Sequence, residues 1–179
     1  MSGSPDVNPA TVRLATPSDA EAIGVVHVDS WRAAYRGIVP DQILAGLSVE
    51  RRAASWRETI EWARDERVWV IERDDHVYGF AATGPARDDD AVAGSGEVMA
   101  IYLDPAAWST GLGRRLFAAA VEDLGQRGFG PLVLWVLTGN ARGRHFYEAA
   151  GWRPDGTSRT LDFGGTPVEE IRYVLDAAS

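Results

Sequence analysis

The fold turns on residues 97–113, Glu97-Val98-Met99-Ala100-Ile101-Tyr102-Leu103-Asp104-Pro105-Ala106-Ala107-Trp108-Ser109-Thr110-Gly111-Leu112-Gly113. After Glu97 the residues up to Leu103 are apolar, β-branched or aromatic, which predicts a strand. Asp104-Pro105 ends it. From Gly111 a helix is predicted over 111–127, with Leu112, Leu116, Phe117, Ala120, Val121 and Leu124 on one face. A strand that passes through glycines into a helix start can hold an anion. Glycine lets the backbone come close, amide N–H groups converge, and the helix dipole adds about half a positive charge there. Arg114 and Arg115 can add full charges. On spacing alone the same residues also read as a tight strand-to-helix turn with no ligand. A dinucleotide fingerprint would need glycine at position 116, which is Leu116, so a Rossmann reading is disfavoured.

C-terminal to this stretch, residues 131–138 form a nearly continuous apolar run, as expected for a central strand covered on both faces. Asn140 opens a predicted helix over 140–150, closed by Gly151. Tyr147 follows Asn140 by almost two turns, so both lie along one face of that helix. Strands are predicted over 152–161 and 168–175, around Gly164-Gly165. N-terminal to it, strands at 68–72 and 77–82 flank a polar turn at 73–76, and residues 87–96, with Asp88-Asp89-Asp90, read as a flexible, solvated loop. Val12 and Leu14 mark a short first strand, and Thr16-Pro17-Ser18-Asp19 signals the start of a helix ending near Gly37. Residues 40–47 read as a connector, and Ser48 caps a second helix with Trp56, Ile60 and Ala63 on its apolar stripe. Residues 1–10 read as a mobile tail and residues 11–176 as one domain. The element order predicts an α/β (α+β) fold with a mixed sheet, in which an antiparallel meander feeds a strand-helix-strand unit.

Composition removes several function classes. The chain has 179 residues, 45% of them hydrophobic, and a net charge of −8. That acidity argues against a nucleic-acid partner, which needs a basic face. All 18 basic residues are arginine, so a lysine-dependent phosphate loop and a Schiff-base lysine are excluded. Absence of cysteine excludes a thiol nucleophile and Cys-ligated zinc. No apolar run approaches the ~20 residues needed to cross a bilayer, and no leader pattern opens the chain, so no membrane partner and a cytoplasmic location are expected. His27, His76 and His145 fall on separate elements without metal-ligand spacing, and no metal is assigned. A homodimer is among the states the sequence allows.

Residues 97–113 resemble the central cofactor motif of the GCN5-related N-acetyltransferases, the GNAT family, and Asn140-x5-Phe146-Tyr147-x3-Gly151-Trp152 is similar to their next motif. Gly111 and Gly113 match the family's [Q/R]-x-x-G-x-[G/A] loop, while Trp108 stands where Gln or Arg is usual and Ser109 where glycine is common. The resemblance implies a mostly antiparallel sheet flanked by about four helices, with a splayed central strand pair. It implies acetyl-coenzyme A as cosubstrate, its pantetheine arm along Ile101, Tyr102 and Leu103 and its pyrophosphate on Ser109, Thr110, Gly111, Leu112, Gly113 and Arg114. Asn140 would bond the pantetheine arm or order the site. Tyr147 would protonate the leaving thiolate, and Glu97, directly or through water, would accept a proton from the attacking amine. Trp31 and Tyr35, at the end of the first helix, would line the groove for a small-molecule or peptide amine. The expected activity is acetyl transfer to a primary amine in a ternary complex. A non-catalytic acyl-coenzyme A sensor would keep the glycine loop without needing Glu97 or Tyr147, and a sister enzyme would use another acyl group or acceptor.

Overall fold

In a computed structural model of the protein, residues 8–176 are described. Strand β1 (Thr11–Leu14) leads into a short 3-10 turn at Pro17–Asp19 and then helix α1 (Ala20–Ala34). The entry is fixed by Asp19, whose Oδ2 accepts from the Thr16 N–H at 2.7 Å and from the Thr16 hydroxyl at 2.9 Å. Helices α2 (Asp41–Ala45) and α3 (Val49–Trp62) follow, then β2 (Arg67–Arg73), β3 (His76–Pro85) and β4 (Gly96–Leu103). Helix α4 (Leu112–Gln126), β5 (Leu132–Leu137), α5 (Ala141–Ala149), β6 (Arg153–Phe163) and β7 (Thr166–Leu175) complete the chain.

The seven strands form one sheet in the order β1-β2-β3-β4-β5-β7-β6. Every neighbouring pair is antiparallel except β4 and β5. That parallel pair is the hinge of the architecture, because it is bonded only at Gly96↔Leu132, Glu97↔Val133 and Val98↔Leu134. Beyond Val98 and Leu134 the strands part, as the splayed pair expected from the resemblance requires.

One face of the sheet carries α4 and α5, with Phe117 and Leu124 packed on Leu132, Leu134, Val136 and Tyr173. The other carries α1 and α3, with Ile23, Val26, Trp56 and Ile60 against Val68, Val70 and Phe80. The end of α1 and α2 rest on the end of β5 and the β6–β7 hairpin, where Tyr35, Val39 and Leu44 meet Leu137, Leu161 and Val168.

Three expectations need revision. Residues 40–47 hold a fifth helix, α2, anchored by buried Leu44, and five residues are too few for a helical period to register. Strands β3, β6 and β7 extend past their expected ends, to Pro85, Phe163 and back to Thr166. The aspartate loop is solvated only in part: Asp89 and Asp90 are exposed, as expected, but the Asp88 side chain is buried against Arg172, with which Asp90 also pairs. The expected tail lies outside the described residues up to residue 7, while Ala10 is buried and its carbonyl accepts from Arg115 at 2.6 Å.

Candidate active site

A cavity of about 710 Å³ fills the gap where β4 and β5 separate. Its walls bring together nearly all the residues singled out in the sequence: Ile101, Tyr102, Leu103, Ser109, Thr110, Gly111, Gly113, Arg114, Asn140, Tyr147 and Tyr35. Leu112 is the exception among the loop residues, because its side chain is buried in the core beneath α4.

At one end sits the turn between β4 and α4. Asp104 Oδ1 accepts from the Ala106 N–H at 2.8 Å, the Thr110 hydroxyl donates to the Ala107 carbonyl at 2.6 Å, and Trp108 Nε1 donates to the Leu103 carbonyl at 3.1 Å. Ser109 and Gly111 take positive φ of 61° and 88°, which re-aims the chain within three residues. The first helical bond of α4 on this side runs from Arg115 N–H to the Gly111 carbonyl, so the amides of residues 111–114 have no intrahelical acceptor. Such amides are suited to phosphate oxygens.

The cations differ from expectation. Arg114 lines the cavity, but Arg115 turns away to the Ala10 carbonyl. Arg142, from the first turn of α5, takes its place. Its guanidinium lies 3.3 Å from the centre of the Trp108 ring, and both residues line the cavity. Desolvation lowers the Arg142 pKa from its usual value, the direction for a cation whose charge has no carboxylate beside it.

Helix α5 forms the opposite wall. Asn140 Oδ1 accepts from the Gly143 N–H at 3.0 Å, so its carbonyl oxygen serves as helix cap. A Cβ at Gly143 would stand 2.5 Å from Asn140 Nδ2, so a side chain there would displace the capping amide. None of the nine residues of α5 is fully buried. Its apolar residues Phe146 and Tyr147 face the cavity as well as Phe117 of α4.

Tyr147 and Tyr173 show two uses of one residue type. The Tyr173 hydroxyl is committed, donating to Glu148 at 2.7 Å and accepting from Arg144 at 3.2 Å. Tyr147 instead lines the cavity, and burial, followed by the nearby Tyr102 hydroxyl, raises its pKa well above the usual phenol value. It therefore keeps its proton at neutral pH.

Glu97 is not brought to this wall. Its side chain is 4% exposed, and Arg87 holds both oxygens: Nη2 to Oε1 at 2.7 Å, Nε to Oε2 at 3.0 Å and the backbone N–H to Oε2 at 3.2 Å. Trp31 does not line the cavity either. It packs edge-on against Tyr35 at 5.0 Å, and Tyr35 forms the wall with Ser30 and Ala34 of α1. Trp135 of β5 completes it; a lone Trp in a continuous apolar run carries no sign that it faces a site. Among the described residues no group of three or more His, Asp or Glu side chains is arranged to hold a metal ion.

A cofactor-sized opening between parted parallel strands, with a helix N-terminus at one end and a tyrosine on its wall, can be compared with known proteins. Residues 29–152 match the acetyltransferase (GNAT) family. The chain belongs to that family. An N-acetyltransferase of Bacillus subtilis (strain 168), YuaI, is 36% identical over 164 residues that span 90% of each chain. The PaiA N-acetyltransferase of Thermoplasma acidophilum, solved with coenzyme A, matches at a TM-score of 0.75 over 95% of this chain and all of that one, at 19% identity. YncA of Salmonella typhimurium, solved with acetyl-coenzyme A, matches at 0.70 over 94% of each, at 22% identity. These two structural likenesses establish the fold. As a family member the protein is an acetyl-coenzyme A-dependent acyltransferase, and no helix among its described residues is long and apolar enough to cross a membrane.

Proposed function

We propose that this acetyltransferase moves the acetyl group of acetyl-coenzyme A onto a primary amine by direct attack in a ternary complex. The observation that carries the reading is that one cavity contains the free edge of β4, the amides of residues 111–114 and Tyr147. The residues fit the cosubstrate. Unpaired backbone groups of β4 beyond Val98 can pair with the amides of a pantetheine arm, and the loop amides with Arg114 and Arg142 can hold its phosphates. Asn140 Nδ2, not used in capping, is available to the same arm.

The chemistry then follows from proton positions. The amine nitrogen attacks the thioester carbonyl, the C–N bond forms and the C–S bond breaks. Tyr147 donates its hydroxyl proton to the departing sulfur, and the proton lost by the amine restores it through water. Glu97 is held behind Arg87, so its contribution is to fix Arg87 and the loop that follows; water takes the amine proton. This route has no covalent intermediate, in keeping with a chain that has no cysteine. Calorimetry with coenzyme A and acetyl-coenzyme A, followed by thiol release with an amine panel, tests the proposal. Binding without thiol release would support a sensor instead, and no binding would remove the reading altogether.

A further inference from the structure

Charge is distributed unevenly around the cavity. The only arginines that line it among the described residues, Arg114 and Arg142, come from α4 and α5 at the end assigned to phosphate. The wall across from them includes Ser30 and Ala34 of α1, Tyr35 just after it, Tyr102 of β4 and Trp135 of β5, all neutral.

Cations do approach that wall, but from behind it, and none of them lines the cavity. Behind Trp135, Arg159 lies 3.9 Å from the ring centre and bonds Glu170, while Arg172 pairs with Asp88 at 3.2 Å, Asp90 at 2.6 Å and Asp155 at 2.7 Å. Asp88 also accepts from Trp135 Nε1 at 3.1 Å. Four carboxylates, Asp88, Asp90, Asp155 and Glu170, thus face two guanidiniums, and the cluster keeps two negative charges. Arg87 is held by Glu97. Arg52 lies 5.7 Å over the Trp31 ring, and neither it nor Trp31 lines the cavity.

From this asymmetry we infer that the acceptor is a cationic amine with no carboxylate beside its amino group, bound against Tyr35, Tyr102 and Trp135. The inference rests on the acetyl-transfer reading above. An ammonium approaching this wall meets aromatic faces and a net negative cluster, both favourable. An α-carboxylate would enter a partly enclosed site against a wall lined by no cation, with Arg114 and Arg142 committed to the phosphates, and would lose its hydration unpaired, which costs more than it returns. The excluded class is therefore the α-amino acids, and the favoured class their decarboxylated counterparts.

Matched pairs isolate the carboxylate: tyramine against tyrosine, histamine against histidine, agmatine against arginine. With acetyl-coenzyme A and thiol release as readout, at least one decarboxylated member should show kcat/KM about 10-fold or more above its partner. Ala34→Arg, which adds a cation to the α1 wall, should shift that ratio towards the carboxylated member. Equal or better turnover of the amino acids overturns the inference. So does an absence of turnover across all three pairs in protein that binds coenzyme A calorimetrically. Failure to bind coenzyme A would instead overturn the acetyl-transfer reading beneath it.

Discussion

Arg87 closes on both carboxylate oxygens of Glu97, at 2.7 Å and 3.0 Å, and the pair lies outside the cavity that Tyr147 lines. A base that must accept a proton from a substrate needs a free lone pair within one water of it. Glu97 has both carboxylate oxygens engaged by Arg87 and does not line the cavity, so neither oxygen is presented to a substrate there. Its position at the start of β4 suits a different task, anchoring the loop that carries Asp88 to the back of Trp135.

Glu97→Gln should therefore keep kcat within about 3-fold of the parent, far from the 100-fold or larger loss that removing a general base produces. It should cost about 1–3 kcal/mol of stability by leaving Arg87 without its counter-charge, at the low end because that guanidinium is largely exposed. Steady-state kinetics and urea denaturation on the same variant separate the two roles. A 100-fold fall in kcat at unchanged cosubstrate affinity would return Glu97 to the mechanism.

The Arg142 guanidinium stacked on Trp108 makes a second prediction. Arg142→Ala should weaken coenzyme A binding by about 10-fold, the scale of one charge-assisted phosphate contact. Calorimetry with 3′-dephospho-coenzyme A locates the contact. A penalty that vanishes with the dephospho compound puts Arg142 at the 3′-phosphate, and one that persists puts it at the pyrophosphate. Trp108→Leu should show part of the same loss, because the guanidinium would lose the surface that orients it. An unchanged affinity in Arg142→Ala would show that the stack is structural only.

How legible this site was depends on whether its signals are local. The β4-to-α4 turn reads directly from the chain, since a strand, two glycines and the stripe from Leu112 to Leu124 lie within a few residues of one another. Asn140 and Tyr147 are similarly local, being two positions on one helix face. Arg142 was hidden because its role depends on α5 lying beside Trp108, a contact across 34 positions, and neighbouring Arg115 offered the same chemistry with no sign that it turns to Ala10. The Asp88-to-Arg172 pair, 84 residues apart, defines the back of the acceptor wall, and nothing near Asp88 distinguishes it from a solvated aspartate. Glu97 shows the converse, with the residue type and place that the family resemblance suggests and a partner, Arg87, that only the folded loop supplies.

His27 gives a prediction about pH. It is 6% exposed, stacks on Tyr102 at 5.2 Å, and accepts a hydrogen bond from Trp56 Nε1 at 2.9 Å. Burial, with Arg52 nearby, lowers its pKa to about 3. In the unfolded chain it takes up a proton near pH 6.5. Between these two values the unfolded state binds more protons, so stability is fully present above about pH 6.5, falls on acidification, and levels off near pH 3. From pH 6.5 to pH 5 the loss should approach roughly 2 kcal/mol, above the range where most carboxylates titrate. His27→Asn leaves an acceptor for Trp56 without the titration, and should flatten the dependence of the denaturation midpoint on pH in this window. A variant as acid-sensitive as the parent would assign the effect elsewhere.

In the proposed mechanism Tyr147 assists the chemical step, and the direction of its shift says how. A phenol raised by burial is a weaker acid than usual, so it does not give up its proton before the C–S bond breaks. Its contribution begins as negative charge develops on sulfur, when a hydrogen bond from the hydroxyl stabilises the transition state more than the ground state. Tyr147→Phe removes that bond while keeping the ring packed on Phe117, so the fold and the phosphate contacts remain. kcat should fall by about 100-fold or more while the Kd for coenzyme A changes less than about 2-fold. The parent rate should also show no descending limb from this group below about pH 10, since the proton is still in place there. If Tyr147→Phe turns over at the parent rate, the thiolate leaves without help from this residue, and the wall of α5 only shapes the cavity.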